Sequence, residues 1–412
     1  MVNDRITAAL VLVAPLLATA SCDRTIGTTG EQEQAGPVVP GPFDATGTPA
    51  GEGSRTPRLA ETSGGFLLSW QVDEPAAAVQ FAEFLDGEWS PPRTIVRRDD
   101  LFVNWADFPS LIPLGGDSLA AHWLQYNGPG TYAYQVHLAF SADGGATWSD
   151  PVVPHERRTQ TEHGFVSLLA GPEGLEVVWL DGRSYAEGPE QMSLRAVSVA
   201  GSGRASDEFV LDERVCDCCQ TSLVAVPAGL VVAYRDRTQA EIRDIAVTRR
   251  VEGAWTPPVP VHDDGWQIDA CPVNGPALAA IGDTVLVTWF SAARDTPGAF
   301  AALSEDGGAS FGPPVRIDEG RPLGRVAALA VTGPTGHRFV VAWMEALVDG
   351  GAEIRIRSID LNGRLSPSVS AGGTSTARAS GFPVLAAAGG EIFVAWTDPD
   401  SGTIRLARGP TN

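Results

Sequence analysis

Short apolar runs alternate with turns rich in Gly, Asp and Pro along almost the whole chain, and one run recurs in a constant form. Two to four apolar residues follow a Gly-containing turn and end in an aromatic. The pattern reads Phe-Leu-Leu-Ser-Trp70, Leu-Ala-Ala-His-Trp123, Leu-Glu-Val-Val-Trp179, Val-Val-Ala-Tyr234, Val-Leu-Val-Thr-Trp289, Val-Val-Ala-Trp343 and Phe-Val-Ala-Trp396. The intervals between the aromatics are 53, 56, 55, 55, 54 and 53 residues. Around each one the chain parses the same way. A first apolar run (Ala277–Ala280 is an example) and a tight turn precede the aromatic run. A third run such as Tyr134–Phe140 follows, then a fourth such as Pro151–Pro154. Period-2 segments of this length, bounded by turn residues, are strands, and no window sustains a 3.6-residue apolar period. Four short strands in each of seven units of about fifty residues predict an all-β fold, a seven-bladed propeller of four-stranded antiparallel blades spanning 54–412.

The turns between third and fourth strands carry a second mark. Ser141-Ala-Asp143-Gly-Gly145-Ala-Thr147-Trp148 is its full form and Ser304-Glu-Asp306-Gly-Gly308-Ala-Ser310-Phe311 a close relative. Eroded copies stand at Gly87-Glu-Trp89, Gly253-Ala-Trp255 and Gly363-Arg-Leu365. An Asp in such a turn accepts backbone N–H bonds from its own loop, and Gly supplies positive φ. The device serves folding rather than catalysis. The seventh repeat runs out after its third strand, Thr403-Ile-Arg-Leu-Ala, and Pro37-Val-Val-Pro40 resembles the fourth strands elsewhere. It is expected to supply the missing strand and close the ring.

The start of the chain departs from this beat. Residues 6–20 are an apolar run of signal-peptide length behind Arg5, too short and early for a spanning helix. Thr19-Ala20-Ser21-Cys22 resembles a lipobox, so 1–21 reads as a signal peptide and Cys22 as a lipidation site. Residues 22–53 hold few large apolar side chains and read as a flexible tether. The expected location is the cell envelope, on the periplasmic side of a membrane reached only through the lipid, and the expected state is a monomer.

Formal net charge is −21, and all 29 basic residues are Arg. An acidic chain without a basic patch argues against nucleic acid as a partner. The absence of Lys excludes Schiff-base chemistry and a Walker-type phosphate loop.

In a propeller one face gathers the loops entering the innermost strands and those leaving the second strands. At these positions stand Arg55, Asn104 and Asp107, Glu162 and His163, Asp181 and Arg183, Arg235, Arg325, Glu345 and Arg378. Unlike the Asp-containing turns, they differ from blade to blade and concentrate Arg, Asp, Glu, His and Asn. That makes this face the expected site, although Arg235-Asp236-Arg237 with Glu241 and Asp244 also fits a closed ion network.

The Ser-x-Asp-x-Gly-x-Thr-Trp turns on a propeller resemble the Asp-box repeats of the sialidase-like proteins. The strings Asn-Trp-Ala-Asp-Phe-Pro, Glu-His-Gly-Phe-Val-Ser, Val-Cys-Asp-Cys-Cys-Gln-Thr and Cys-Pro-Val-Asn-Gly-Pro are similar to those of bacterial sialidase-like proteins. The resemblance implies a site in which arginines grip a substrate carboxylate, an Asp serves as acid/base and a Glu activates a nucleophilic Tyr. Arg55-Thr-Pro57 is similar to the family's Arg-Ile-Pro entry to blade one. Arg235, Arg325 and Arg378 stand where further carboxylate-binding arginines would come from. The sequence departs from the family pattern in three ways. Sialidases have six blades, which keeps a six-bladed ring as the alternative; no Tyr stands at a strand-entry position; and no Asp follows Arg55 in the family's context. Paired carboxylates drawn from Asp107, Glu162, Asp181 and Glu345 are then the alternative catalytic set. Arg55, Asn104, His163, Arg183, Arg235, Arg325 and Arg378 are the candidate substrate-binding residues for a glycan or small anionic ligand. Two functions stay open: a sialidase-like hydrolase, or a non-catalytic propeller that binds a ligand or protein.

Cys216, Cys218 and Cys219 open the fourth repeat and Cys271 the fifth. Adjacent blades make them neighbours, and in an oxidising compartment they read first as disulfides, Cys271 pairing with one of the other three. The alternative is a soft-metal site of thiolates with His163. No other cofactor is expected.

Overall fold

A computed structural model describes residues 37–73, 76–156, 159–172, 174–333 and 336–411. The signal peptide, Cys22 and most of the expected tether lie outside the described residues. Seven antiparallel sheets form, six of them built from consecutive strands and the seventh completed by a strand from earlier in the chain. Blade six shows the plan: Pro322–Gly333 innermost, then Gly336–Ala346, Ala352–Asp360 and Val369–Thr374 outermost. Blade two has three full strands, and its fourth is reduced to a bridge between Leu138 and Val152. Helix is confined to Ser184–Glu187 and one 3-10 turn at Ala293–Asp295 among the described residues. No helix among them is long and apolar enough to cross a membrane.

The seven periodic aromatics fall one per sheet, each on the second strand and each at most 3% exposed. Packing runs between blades as well as within them. Phe66, Leu68 and Trp70 of blade one share a core with Val384, Phe393 and Leu406 of blade seven. Phe66 and Phe393 lie 4.7 Å apart, centroid to centroid. Burying a side chain of this size stabilises by about 1.5–3 kcal/mol. A blade alone would expose one such face on each side, so the ring stands or falls together.

The strand that completes blade seven differs from the expectation. It is Asp44–Thr46, not 37–40, paired Asp44 to Arg408, Ala45 to Ala407 and Thr46 to Leu406. Pro37 and Pro40 carry no N–H, whereas Asp44, Ala45 and Thr46 all do. Phe43 beside this strand packs against the core of blades six and seven, and Ala50 is buried in the core of blades seven and one. The chain therefore joins the ring before residue 54, where the tether was expected to end.

The two Asp-containing turns fold alike. Asp143 Oδ1 accepts the Ser141 hydroxyl at 2.8 Å and the Thr147 N–H at 2.9 Å, and Oδ2 accepts the Thr147 hydroxyl at 2.6 Å. The corresponding bonds of Asp306 to Ser304 and Ser310 measure 2.7, 2.9 and 2.6 Å.

Candidate functional site

At the opposite ends of the strands the backbone is strained. Thr56, Phe165, Val273, Arg325 and Phe382 all have φ between +50° and +57° and stand where five of the blades begin. In blades one, three, six and seven a β-bulge interrupts pairing at that point. Left-handed non-glycine residues cost about 1–3 kcal/mol and persist where the surroundings over-determine them. A bulge locally frees an innermost strand from its neighbour and re-aims its first side chains.

The loop 104–109 of blade two crosses this face. Asn104 Oδ1 caps its turn by accepting the Ala106 N–H at 2.8 Å. The Ala106 carbonyl accepts from Gln220 Nε2 of blade four at 2.7 Å. Trp105 lies under Arg325 and Arg378, 5.7 and 5.3 Å from the guanidinium carbons, and Phe108 touches Phe382. Below the loop, Arg58, Gln220, Asn274 and Arg325 line a central cavity of about 240 Å³. Beside it an open cleft of about 690 Å³ is bounded by Arg55, Asp73, Trp105 and Asp398.

Asp107 of this loop belongs to a group of three. Tyr134 Oη lies 2.8 Å from Asp107 Oδ2 and 2.8 Å from Glu162 Oε1. Asp107 Oδ1 also accepts the Phe165 N–H at 2.7 Å. Gly164 makes the approach possible, since a Cβ there would overlap Asp107 Oδ2. A phenol has one proton and cannot donate to both carboxyls, so one of them is protonated and donates to the phenol oxygen. Burial pushes Asp107 up to about 7 against the hydrogen bonds from Tyr134 and Phe165. Burial also lifts Glu162, helped by the charges of Asp107, Asp217 and Cys271, to about 8. Tyr134, buried between two acids, is raised further still. The arrangement that satisfies every group at neutral pH runs from a protonated Glu162 through the Tyr134 hydroxyl to an ionised Asp107, with the Phe165 N–H at the far end. Asp107 and Tyr134 are each 1% exposed, whereas Glu162 is half-buried and forms the open end.

The other expected catalytic acids are engaged elsewhere. Burial opposes ionisation of Asp181, but two 2.7 Å bonds from Arg183 and one of 2.8 Å from the Trp179 indole hold it at about 2. Arg183 in turn contacts Glu208 at 2.9 Å, and its charge is consumed within the blade. Glu345 accepts the Trp343 indole at 2.6 Å and the Arg321 N–H at 2.5 Å. In both cases the acid stands two residues after the core Trp, on the same side of the strand, and satisfies a buried donor. Neither joins the group of three. Asp107 and Glu162 themselves do not face each other across a substrate. Both bond the same phenol, so those two oxygens are separated by less than the 6.5–9.5 Å that an inverting pair requires.

The arginines divide as well. Arg235 is 1% exposed and donates to the carbonyls of Arg243, Asn274 and Phe290 at 2.6–3.0 Å. It is a buried strut between blades rather than a ligand-binding residue, and it stands outside the ion network of Arg237, Glu241, Arg214, Arg243 and Asp217. Asp244 is outside it too, accepting the N–H groups of Gly265 and Trp266. Arg55 pairs with Asp73 at 2.6 Å on the rim. His163 is fully buried, with Nδ1 2.9 Å from the Thr161 carbonyl and Nε2 3.7 Å from Asp181. It stacks on His155 rather than joining the cysteines. Arg325 and Arg378 differ from these. Arg325 contacts the Val273 and Arg378 carbonyls, and Arg378 reaches the Cys271 carbonyl at 3.4 Å. Neither has a carboxylate partner among the described residues. Burial, then the charge of Arg378, lowers Arg325 to about 10.

Cys216 is joined to Cys219. The expected bridge from Cys271 is absent, and Cys271 instead accepts a hydrogen bond from the Cys218 thiol.

No protein-family model and no curated protein matches the chain. Among solved structures it is similar to an α-L-arabinofuranosidase of Fusarium graminearum, with 15% identity, TM-score 0.52, and coverage of 91% of this chain and 98% of that one. A Hadza microbial sialidase is similar at 17% identity and TM-score 0.43, covering 71% of this chain and 63% of that one. For Trypanosoma rangeli sialidase the values are 10% and 0.43, over 87% of this chain and 55% of that one. What these likenesses share with the chain is an all-β ring, here of seven four-stranded blades.

Proposed function

We propose that the strand-entry face hydrolyses a glycosidic bond in an anionic glycan, with Glu162 as proton donor to the leaving oxygen. The observation that carries this reading is the Tyr134 phenol held between Asp107 and Glu162, with Asp107 on the same loop as Trp105, which lies under Arg325 and Arg378, two arginines without a carboxylate partner among the described residues. A carboxyl that stays protonated at neutral pH is what acid catalysis of glycoside cleavage needs. Water attacks the anomeric carbon as the glycosidic bond breaks, and the proton that this water releases restores Glu162, while Tyr134 and ionised Asp107 hold the acid in place from behind. Arg378 and Arg325 are placed to take a substrate carboxylate, and Trp105 gives a sugar ring an aromatic floor. In the family that the sequence resembles, a Tyr–Glu pair does the chemistry. Tyr134 and Glu162 are the pair in this chain that matches those residue types. The residues before 37 carry the proposal, made from sequence, that the propeller is anchored at the cell envelope through Cys22.

The test is turnover of a panel of carboxylated and neutral aryl glycosides, sialosides and α-arabinofuranosides included, by the wild type and by Glu162→Gln. Cleavage of a carboxylated glycoside that Glu162→Gln loses supports the reading. A second reading, a propeller that binds glycans without cleaving them, is favoured by the deep burial of Tyr134 and Asp107. Calorimetric binding of a carboxylated glycan with no turnover of any substrate would select it.

A further inference from the structure

Four sulfurs meet at the junction of blades four and five. The Sγ atoms of Cys216, Cys218 and Cys219 all lie within 4.8 Å of one another. Cys271 adds a fourth, since its sulfur is hydrogen-bonded to the Cys218 thiol. The chain brings them together by two separate devices. Cys216 is pinned to the end of blade four's second strand, its N–H donating to the Arg235 carbonyl at 3.0 Å, and the chain turns immediately at Asp217 and Cys218. The loop carrying Cys271 is drawn in at Gly275, where any Cβ would overlap the Gln220 carbonyl. Gly275 N–H also donates to Gln220 Oε1 at 3.2 Å.

We propose that these four cysteines, when reduced, bind one thiophilic d10 cation, zinc or copper(I), as a tetrathiolate site. In a tetrahedron with metal–sulfur bonds of about 2.3 Å the sulfurs stand about 3.8 Å apart. Those of Cys216, Cys218 and Cys219 already lie within 4.8 Å of one another, and Cys271, outside that trio but in contact with Cys218, closes in as the fourth ligand. Four thiolates around a divalent ion leave an excess of negative charge, and guanidiniums stand by to offset it. Arg243 Nη1 is 3.7 Å from Cys216 Sγ, and Arg378 Nη2 is 3.4 Å from the main-chain carbonyl of Cys271. Cys216 and Cys219 are buried, Cys218 is half-buried and Cys271 is exposed, so the cation enters from the Cys271 side. The Cys216–Cys219 disulfide is the oxidised form of the same site. An external dithiol supplies two electrons and two protons to open it and leaves as its own disulfide. The cation then displaces the four thiol protons.

The experiment is to reduce the full chain anaerobically with a dithiol, remove the reductant, add zinc or copper(I) in separate arms, desalt, and measure bound metal and free thiols. About one ion per chain, with four fewer titratable thiols than the metal-free reduced protein, is expected in at least one arm. The arm that retains the ion identifies the metal. Cys271→Ser, an exposed position, is expected to weaken retention at least tenfold while its circular dichroism matches the wild type. Reduced protein that is still folded by the same spectrum and retains neither metal overturns the proposal. So does retention that Cys271→Ser leaves unchanged. Neither readout depends on glycoside turnover.

Discussion

Asp143 and Asp107 are the same residue under opposite rules. Asp143 is exposed at the end of blade two, and the Thr147 hydroxyl and N–H and the Ser141 hydroxyl saturate its carboxylate and hold it at about 2. Asp107 sits near the other end of that blade, is buried, shares a phenol with a second acid, and is pushed up to about 7. One carboxylate closes a turn on itself; the other shares a phenol with a second acid. The strained φ values of Thr56, Phe165, Val273, Arg325 and Phe382 mark where blades begin, on the side of Asp107. Local self-sufficiency on one face releases the other from structural duty, and this lets a repeat protein vary one face without unfolding.

The sharpest division is expected from Glu162→Gln against Asp143→Asn. The first should lower kcat by about 10²–10⁴, the usual worth of a positioned proton donor, with little change in melting temperature. The second should leave kcat alone. Equal losses in steady-state assays would dissolve the distinction between the faces. Next comes Arg378→Ala, which removes a charge-assisted bond of about 1.5–3 kcal/mol and should raise KM roughly 10- to 100-fold with kcat little changed. Third, Gly164→Ala forces a methyl group onto Asp107 and should destabilise by about 1–3 kcal/mol in urea unfolding.

Stability against pH separates the faces more gently. The folded values of Asp107 and Glu162, about 7 and 8, lie above their ordinary 3.8 and 4.5, so the folded state holds protons that the unfolded chain has released. Their contribution is fully present below about pH 4 and is lost as pH rises through 7 to 8. Asp143 and Asp306, held at about 2, contribute above about pH 4 and lose that contribution as pH falls toward 2. Urea midpoints from pH 2 to 9 should therefore sag at both ends, and Asp107→Asn should flatten the upper sag alone. The smallest effect belongs to Asp143→Ala, a fall in melting temperature of a few degrees at most with the site unaffected.

The architecture was readable because a strand places alternate side chains on one face and a blade cannot hide that face without its neighbours. Trp70 through Trp396 recur at one position because each fills one sheet-to-sheet gap. Asp107 and Glu162 were readable as strand-entry acids, but the residue that joins them was not. Tyr134 opens a third strand, where the other blades carry Ala78, Met192, Ile245, Gly298, Ala352 and Thr403. A phenol among these is the available signal, and it is visible only once the third strands are aligned by their starts. Arg235 was out of reach for a different reason. What engages it are the carbonyls of Arg243, Asn274 and Phe290, and a carbonyl leaves no trace in residue type. Asp181 and Glu345 were misread because in blades three and six the acid two places after the core Trp serves that Trp's indole.

The short strand Asp44–Thr46 lies against Thr403–Pro410, about 360 residues later. A ribosome delivers Asp44–Thr46 about 360 residues before the strand it pairs with, so the ring stays unlatched while the blades between are made. Until the final residues emerge, blade seven offers a bare hydrogen-bonding edge to any passing strand. The same clasp ties strands from opposite ends of the ring sequence into one sheet, so Asp44–Thr46 cannot leave without baring the Thr403–Pro410 edge.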